Sequence, residues 1–281
     1  MIPVIDLKEK HALRSIEEAY TTVGFAVFIN ALNSDEQKDM NAWFETIESF
    51  FNLPLDLKKK YEYKGGIPIF GYTNPNPLKE IFDFQNIEET KNLWPDIDNF
   101  KSNAIRAQQI AEKHTLKILG MFDTVLDSNG VLVEAHSCEY NPLEFSRVLK
   151  YPSYDGVIEE GRLRMDEHRD YGTITSIWQI NDVLGLEVQD LNGLWHKVPY
   201  EKSSVIVNIG DLLQRWTNDY FVSTNHRVNC YDMDLCKYSM PHFAHAKPGT
   251  VISNLKKDEA AKYSPIESKE YLIKRLRKDD M

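Results

Sequence analysis

His168 and Asp170, two apart in Glu167-His168-Arg169-Asp170-Tyr171, and a second histidine in Ser223-Thr224-Asn225-His226-Arg227-Val228 are the residues of this chain best suited to hold a metal. On a β-strand, side chains two apart leave the same face, so a strand over 167–171 projects His168 and Asp170 together. A third ligand from a neighbouring strand then closes one triangular face of an ion. Two neutral imidazoles and one carboxylate suit ferrous iron, and a facial arrangement leaves the opposite positions open for substrate, cosubstrate or dioxygen. His226 follows Asp170 by 56 positions, room for several strands and turns before the chain returns to the metal. Alone, a His-x-Asp triplet is ordinary surface chemistry. The segments around it give it weight.

From Asp170 the chain runs through Tyr171-Gly172-Thr173-Ile174-Thr175-Ser176-Ile177-Trp178-Gln179, then Gly185-Leu186-Glu187-Val188-Gln189-Asp190 and Gly193-Leu194-Trp195-His196-Lys197-Val198-Pro199. Val205-Ile206-Val207-Asn208-Ile209-Gly210-Asp211 and the His226 segment follow. This succession resembles the isopenicillin N synthase-like family of iron(II)/2-oxoglutarate-dependent dioxygenases, over nearly the whole chain from Ile2-Pro3-Val4-Ile5-Asp6-Leu7 to Tyr271-Leu272-Ile273-Lys274-Arg275-Leu276. The resemblance implies that His168, Asp170 and His226 bind Fe(2+), with 2-oxoglutarate and O2 completing the reaction. It also implies oxidative decarboxylation of 2-oxoglutarate coupled to hydroxylation or desaturation of a small molecule. The Asn208-Ile209-Gly210-Asp211 turn resembles a family element, and its residues read as structural: Gly210 for its backbone freedom, Asp211 to start the next element.

Family members hold the far carboxylate of 2-oxoglutarate with an Arg-x-Ser triplet downstream of the second histidine. Here the matching triplet is Lys237-Tyr238-Ser239. Alternation keeps Lys237 and Ser239 on one face, but an ammonium is a point donor without the two-pronged reach of a guanidinium. Tyr151 in Leu149-Lys150-Tyr151-Pro152 matches the family tyrosine and completes the expected cosubstrate set of Lys237, Ser239 and Tyr151. The missing arginine keeps open an oxidase that uses O2 without 2-oxoglutarate, in the manner of isopenicillin N synthase or aminocyclopropane-carboxylate oxidase. A non-catalytic small-molecule-binding protein is the reading from a different class, opposed by the intact ligand set. By family position, the substrate walls include Phe243, Phe82 and Tyr72, from the anchor strand, the segment 79–84 and the loop 65–72. His242 and His245 are further polar candidates, although a lone histidine is usually an ordinary satisfied group.

These residues need a scaffold, and the chain changes character along its length. Gly24-Phe25-Ala26-Val27-Phe28-Ile29 reads as a short buried strand. Asn33-Ser34-Asp35-Glu36 caps a helix carrying Met40, Trp43, Phe44, Ile47 and Phe51 at helical spacing. A second long helix is expected from about Ser102 to Leu126, with Ala107, Ile110, Ala111, Ile118, Phe122 and Val125 on one stripe before Asp127-Ser128-Asn129-Gly130. From Phe145 to His245 short β-branched and aromatic runs alternate with Gly, Asn and Asp turns, the spacing of an antiparallel sandwich or barrel. The expected fold is α+β, mainly β. The resemblance makes its core a double-stranded β-helix, or jelly roll, braced by N-terminal and central helices. With no internal repeat or linker, 1–281 reads as one domain: a helix-rich part over 1–140, the jelly-roll core over 141–250, and a tail with a helix over 251–281.

Composition narrows the partners. At 281 residues with 42% hydrophobic content the chain buries a sizeable core. A formal net charge of -10 opposes broad attraction to nucleic acid or anionic membranes. The chain shows neither an apolar run of membrane-spanning length nor a leader-like start, so the expectation is a cytoplasmic protein. Cys138, Cys230 and Cys236 fit neither a disulfide framework nor a zinc ribbon. The expected working form is a monomer acting on a small-molecule substrate.

Overall fold

A computed structural model describes residues 1–9, 11–64, 70–85, 93–181, 185–256 and 258–277. The first part of the chain supplies β1 (Val4–Asp6), α1 (Ala12–Thr22), β2 (Phe25–Ile29), α2 (Ser34–Phe51), α3 (Leu55–Lys58), β3 (Gly71–Asn76), β4 (Lys79–Phe84), α4 (Phe100–Leu126) and α5 (Val131–His136). The second part supplies β5 (Phe145–Tyr151), β6 (Leu163–His168), β7 (Ile174–Gln179), β8 (Leu186–Gln189), β9 (Trp195–Lys197), β10 (Val205–Ile209), α6 (Asp211–Trp216), β11 (His226–Asn229) and β12 (Lys237–Ala244). A small hairpin of β13 (Val251–Ile252) and β14 (Ile266–Glu267) leads into α7 (Ser268–Arg277).

Two antiparallel-dominated sheets form the jelly roll. The larger has the strand order β1-β2-β10-β7-β12-β5-β4-β3, the smaller β6-β11-β8-β9. The helix-rich first part thus also contributes both edges of the large sheet; the strand expected over 24–29 is β2, whereas β1, β3 and β4 lie outside the strand-rich stretch expected from Phe145 to His245.

The period-two alternation of each strand sorts side chains into two compartments. On β2, Phe25 and Val27 join an inner core between the sheets, shared with Ile81, Leu149, Tyr151, Ile177, Leu186, Ile206 and Val228. Ala26 and Phe28 on the same strand face outward, where the helices pack. The outer core is aromatic: Trp43 stands edge-on to Phe84 and Phe100, at centroid separations of 5.1 and 5.2 Å.

Of the helices that cover this outer face, α2 forms where its cap predicts, and α4 begins two residues before the expected Ser102, without a side-chain cap. Asn33 accepts from the backbone N–H of Asp35 and Glu36, and Glu36 Oε2 accepts from Asn33 N–H, a reciprocal capping box. The long helix α4 starts at Phe100 and stops at Asp127, which adopts a left-handed φ of +49°. Among the described residues no helix is long and apolar enough to cross a membrane.

Candidate metal centre and cosubstrate cavity

β6 and β11 are neighbours in the small sheet, and their register sets His168 opposite His226. The two imidazoles stand 4.2 Å apart between ring centroids. Asp170 completes the group: its Oδ1 lies 3.9 Å from His168 Nε2 and its Oδ2 3.8 Å from His226 Nε2. One donor atom from each of the three falls within 4.8 Å of the others, a span one ion can bridge.

The strand expected over 167–171 ends at His168. Asp170 sits instead in the turn that follows, and backbone bonds from the Asn208-Gly210-Asp211 segment hold that turn. Asp211 N–H donates to Asp170 O at 2.8 Å, Leu212 N–H to Gly172 O at 3.1 Å and Gly210 N–H to Thr173 O at 3.0 Å. The approach is so close that a Cβ on Gly210 would meet Gly172 O at 2.2 Å. Only glycine fits there.

The donor set fits an iron(II) ion in protonation as well as position. Nδ1 of His168 faces Asp166 O at 2.8 Å and Nδ1 of His226 faces Thr224 O at 3.3 Å, so a proton on each Nδ1 leaves both Nε2 lone pairs toward the shared point. Burial pushes the His226 pKa down, beyond what Asp170 pulls up, so the ring is neutral. Burial pushes the Asp170 carboxyl up, but His226, His168 and bonds from Thr175 and Asn208 outweigh it and hold the pKa below the usual value. Those bonds, Thr175 Oγ1 at 2.6 Å and Asn208 Nδ2 at 2.7 Å, both end on Asp170 Oδ2.

The three residues open onto a cavity of about 760 Å³ between the sheets, which Tyr151, Lys237, Ser239 and Phe243 also line. Alternation delivers them: odd positions of β5 and β12 face inward, and the register pairs Lys237 with Tyr151 and Ser239 with Leu149. Lys237 is 3% exposed and has no ion-pair partner among the described residues. Burial, then the neighbouring Arg164 charge, lowers its pKa to about 8. Burial also raises the Tyr151 phenol, leaving a neutral hydroxyl. A buried, uncompensated ammonium beside a hydroxyl and a phenol fits the far carboxylate of 2-oxoglutarate.

Tyr72 and Phe82, expected at the substrate walls, lie elsewhere. Phe82 has the opposite parity to Ile81 and Asp83, so it points outward, and Tyr72 is its register partner on β3. Both pack against Phe50, at centroid distances of 5.1 Å for Phe82 and 5.8 Å for Tyr72. Of the loop 65–72, residues 65–69 lie outside the described residues. His242 likewise faces outward, bonded through Nδ1 to Ser146 Oγ at 3.1 Å. His245 does line the cavity, with Nε2 against Ser268 O at 3.2 Å.

Two wall elements went unread in the sequence. Arg147 on β5 grips Asp83 with Nε and Nη2 at 2.7 and 3.0 Å, next to the stacked rings of Phe145 and Phe243, 4.8 Å apart. Its inward parity was the available signal. Helix α7 brings Leu272, Ile273 and Leu276 to the cavity wall, and only its apolar spacing hinted at this.

Comparison with known proteins agrees with this geometry. Residues 143–246 match the model of the 2OG-Fe(II) oxygenase superfamily, and residues 2–104 match that of the non-haem dioxygenase in morphine synthesis N-terminal family. A UPF0676 protein of Schizosaccharomyces pombe is 30% identical over 93% of this chain and 87% of its own. The 2-oxoglutarate-Fe(II) type oxidoreductase ppzD of Metarhizium rileyi is 34% identical over 94% of this chain and 84% of its own. Among solved structures, a full-length Neurospora crassa protein in complex with alpha-KG and 5-formyluracil superposes with a TM-score of 0.84. It is 27% identical, with 98% of this chain and 95% of that one covered. The chain belongs to the 2OG-Fe(II) oxygenase superfamily. It is an iron(II)/2-oxoglutarate-dependent dioxygenase, an oxidoreductase that uses Fe(2+), 2-oxoglutarate and O2.

Proposed function

We propose that the iron sits on His168, Asp170 and His226, that Lys237, Ser239 and Tyr151 hold 2-oxoglutarate, and that a small molecule is hydroxylated or desaturated against the wall carrying Phe243. The observation that carries this reading is Lys237, a buried cation without a counter-ion among the described residues, opening onto the same cavity as the three metal donors. When bound, iron and 2-oxoglutarate supply an oxidant that removes hydrogen from a substrate carbon, with succinate and CO2 as by-products.

The chain's own residues do the positioning. Asp170, oriented by Thr175 and Asn208, fixes one corner of the metal face. Arg147, immobilised by Asp83, presents a rigid donor beside the two phenylalanine rings. Leu272, Ile273 and Leu276 form an apolar wall at the partly open mouth of the cavity, which favours a substrate with an apolar body. The N. crassa protein was crystallised with alpha-KG and thymine, which supports a compact substrate of that size class.

The working form we infer is a cytoplasmic monomer, with 1–281 as a single domain, acting on neither nucleic acid nor membrane. The net charge of -10 and the packing of α4 against β7 and β12 support this. Equilibrium sedimentation gives the mass directly.

An anaerobic titration tests the site assignment. Fe(II) followed by 2-oxoglutarate should develop the weak visible charge-transfer band of the chelate, and Lys237→Ala should need at least about 10-fold more 2-oxoglutarate to reach it, a charged contact being lost. Iron binding without a band rejects the cosubstrate. Unchanged affinity in the variant rejects Lys237 as its anchor.

A further inference from the structure

Arg164, on β6 four residues before His168, is a buried cation with poor company. It is 2% exposed, and none of the ion pairs among the described residues includes it. Its Nε and Nη2 are directed at the Met233 thioether, 3.2 and 3.0 Å away. Sulfur is a weak acceptor. Its one oxygen partner among the described residues is the Tyr151 carbonyl, which Nη1 reaches at 3.2 Å, and the guanidinium lies 5.9 Å from the Tyr151 ring centroid.

Tyr151 is also the cross-strand partner of Lys237. Two buried cations therefore flank one tyrosine, and neither makes an ion pair with a carboxylate among the described residues, although the Asp232 carboxylate and the Cys230 and Cys236 thiols act on Arg164 from a distance. Burying one unpaired charge is unfavourable, and placing a like charge beside it compounds the cost. An anion between or in front of them reverses the sign of the whole arrangement. The cavity that Lys237 and Tyr151 line is where the cosubstrate carboxylate goes on the reading above.

We propose that Arg164 is a positioning residue for 2-oxoglutarate, a second positive charge behind Tyr151 that supplements Lys237 at the point where the family triplet carries a single arginine. It acts through Lys237 and Tyr151 without touching the cosubstrate. Its field favours the incoming dianion, and its bond to the Tyr151 carbonyl fixes the end of β5. The inference rests on the assignment of Lys237 as anchor.

The charge role leaves a signature that a packing role does not. The ionisable groups facing Lys237 are Arg164 from β6 and Tyr151 from β5, while β7 presents Gln179 and β11 presents Val228 to the same cavity. Removing Arg164 removes the like charge that helps to lower the Lys237 pKa. The pH at which Lys237 loses its proton, and with it the cosubstrate, then moves up.

The experiment is calorimetric titration of 2-oxoglutarate into Mn(II)-loaded protein, anaerobically, from about pH 7 to about pH 9.5 to bracket a lowered lysine pKa. Arg164→Met should raise Kd about 10-fold at neutral pH and shift the alkaline loss of affinity to higher pH, as expected for one partly screened charge. Parent-like Kd with an unmoved alkaline limb overturns the proposal. Arg164→Lys keeps the charge and carries the test if the methionine variant melts early. A Kd within about threefold of the parent supports the charge role, whereas a loss of about tenfold overturns it in favour of packing alone. Lys237→Ala run in parallel separates the two levels: if that variant binds normally, the anchor assignment itself fails, whatever Arg164 does.

Discussion

Asn208 donates its side-chain N–H to Asp170 Oδ2 at 2.7 Å, so the carboxylate of the candidate metal centre is aimed by a residue on the opposite sheet. Asn208 is fully buried in Val205-Ile206-Val207-Asn208-Ile209, the one polar side chain of β10. Removing it leaves Thr175 alone to orient Asp170 and frees the carboxylate to rotate. Asn208→Ala should weaken Fe(II) binding by about 10- to 100-fold, the range for ligand-orienting partners, read by competition against a coloured chelator. Iron affinity within about twofold of the parent would show that Thr175 suffices.

As the proposed anchor of 2-oxoglutarate, Lys237 makes that site sensitive to pH in a way an arginine would not. Burial is the larger cause and the Arg164 charge the smaller in lowering its pKa to about 8. The protonated form is the one that holds a carboxylate, so affinity for 2-oxoglutarate is full below that pH and declines as pH rises through it. A bound carboxylate favours the ammonium, so binding on the alkaline side takes up a proton. In a profile of kcat/KM for 2-oxoglutarate the parent should show this alkaline decline, and Lys237→Arg should not, because a guanidinium stays charged. An identical decline in the arginine variant would assign the titration to another group.

The inward set on β5 and β12 was legible in the sequence because alternation needs only a starting phase. Once Lys237 faces the site, Ser239 and Phe243 follow, and Tyr151 arrives through register. The helix cap at Asn33 and the stop at Asp127 were legible as local chemistry. Family position placed Phe82 and Tyr72 at the walls, but strand phase decides, and Ile81 and Asp83 take the inner face of β4. The turn holding Asp170 was hidden because its bonds come from residues 210–212, a contact between distant segments that no local pattern encodes. The role of α7 was hidden for the same reason.

That turn depends on two glycines passing close to other backbone. Besides the Gly210 contact with Gly172 O, a Cβ on Gly172 would meet Ala244 O at 2.4 Å. Both obstacles are backbone atoms, which cannot rotate aside as a side chain can. Gly210→Ala should cost about 3 kcal/mol, at the upper end of overpacking in a close-packed core, measured by urea unfolding, with iron affinity falling in the fraction that folds. A loss below about 0.5 kcal/mol, the range of indifferent surface changes, would mean that α6 shifts freely and that the turn is not held as described.

Arg275 ties the apolar wall at the cavity mouth to the turn that carries Asp170. Its guanidinium pairs with Asp211 Oδ2 and lies 4.8 Å from the Tyr171 ring centroid, while Asp211 N–H donates to Asp170 O at 2.8 Å. The helix that carries Leu272, Ile273 and Leu276 is thereby fastened one hydrogen bond away from a residue of the candidate metal centre. Arg275→Ala removes the fastening while Tyr271, buried near the start of the helix, keeps its base in place. The end of α7 should then open and admit more water to the cavity. The expected outcome is a rise in succinate formation without any added substrate. Affinity for 2-oxoglutarate should stay unchanged, because Lys237 begins β12 whereas α7 meets the chain beyond the other end of that strand, where His245 contacts Ser268. Asp211→Asn, which keeps the backbone N–H and removes only the charge facing Arg275, should reproduce the rise in weaker form, since the stacking on Tyr171 remains. If both variants leave substrate-free turnover at the parent level, α7 is held by Tyr271 and its own apolar contacts, and the arginine merely decorates the surface of the turn.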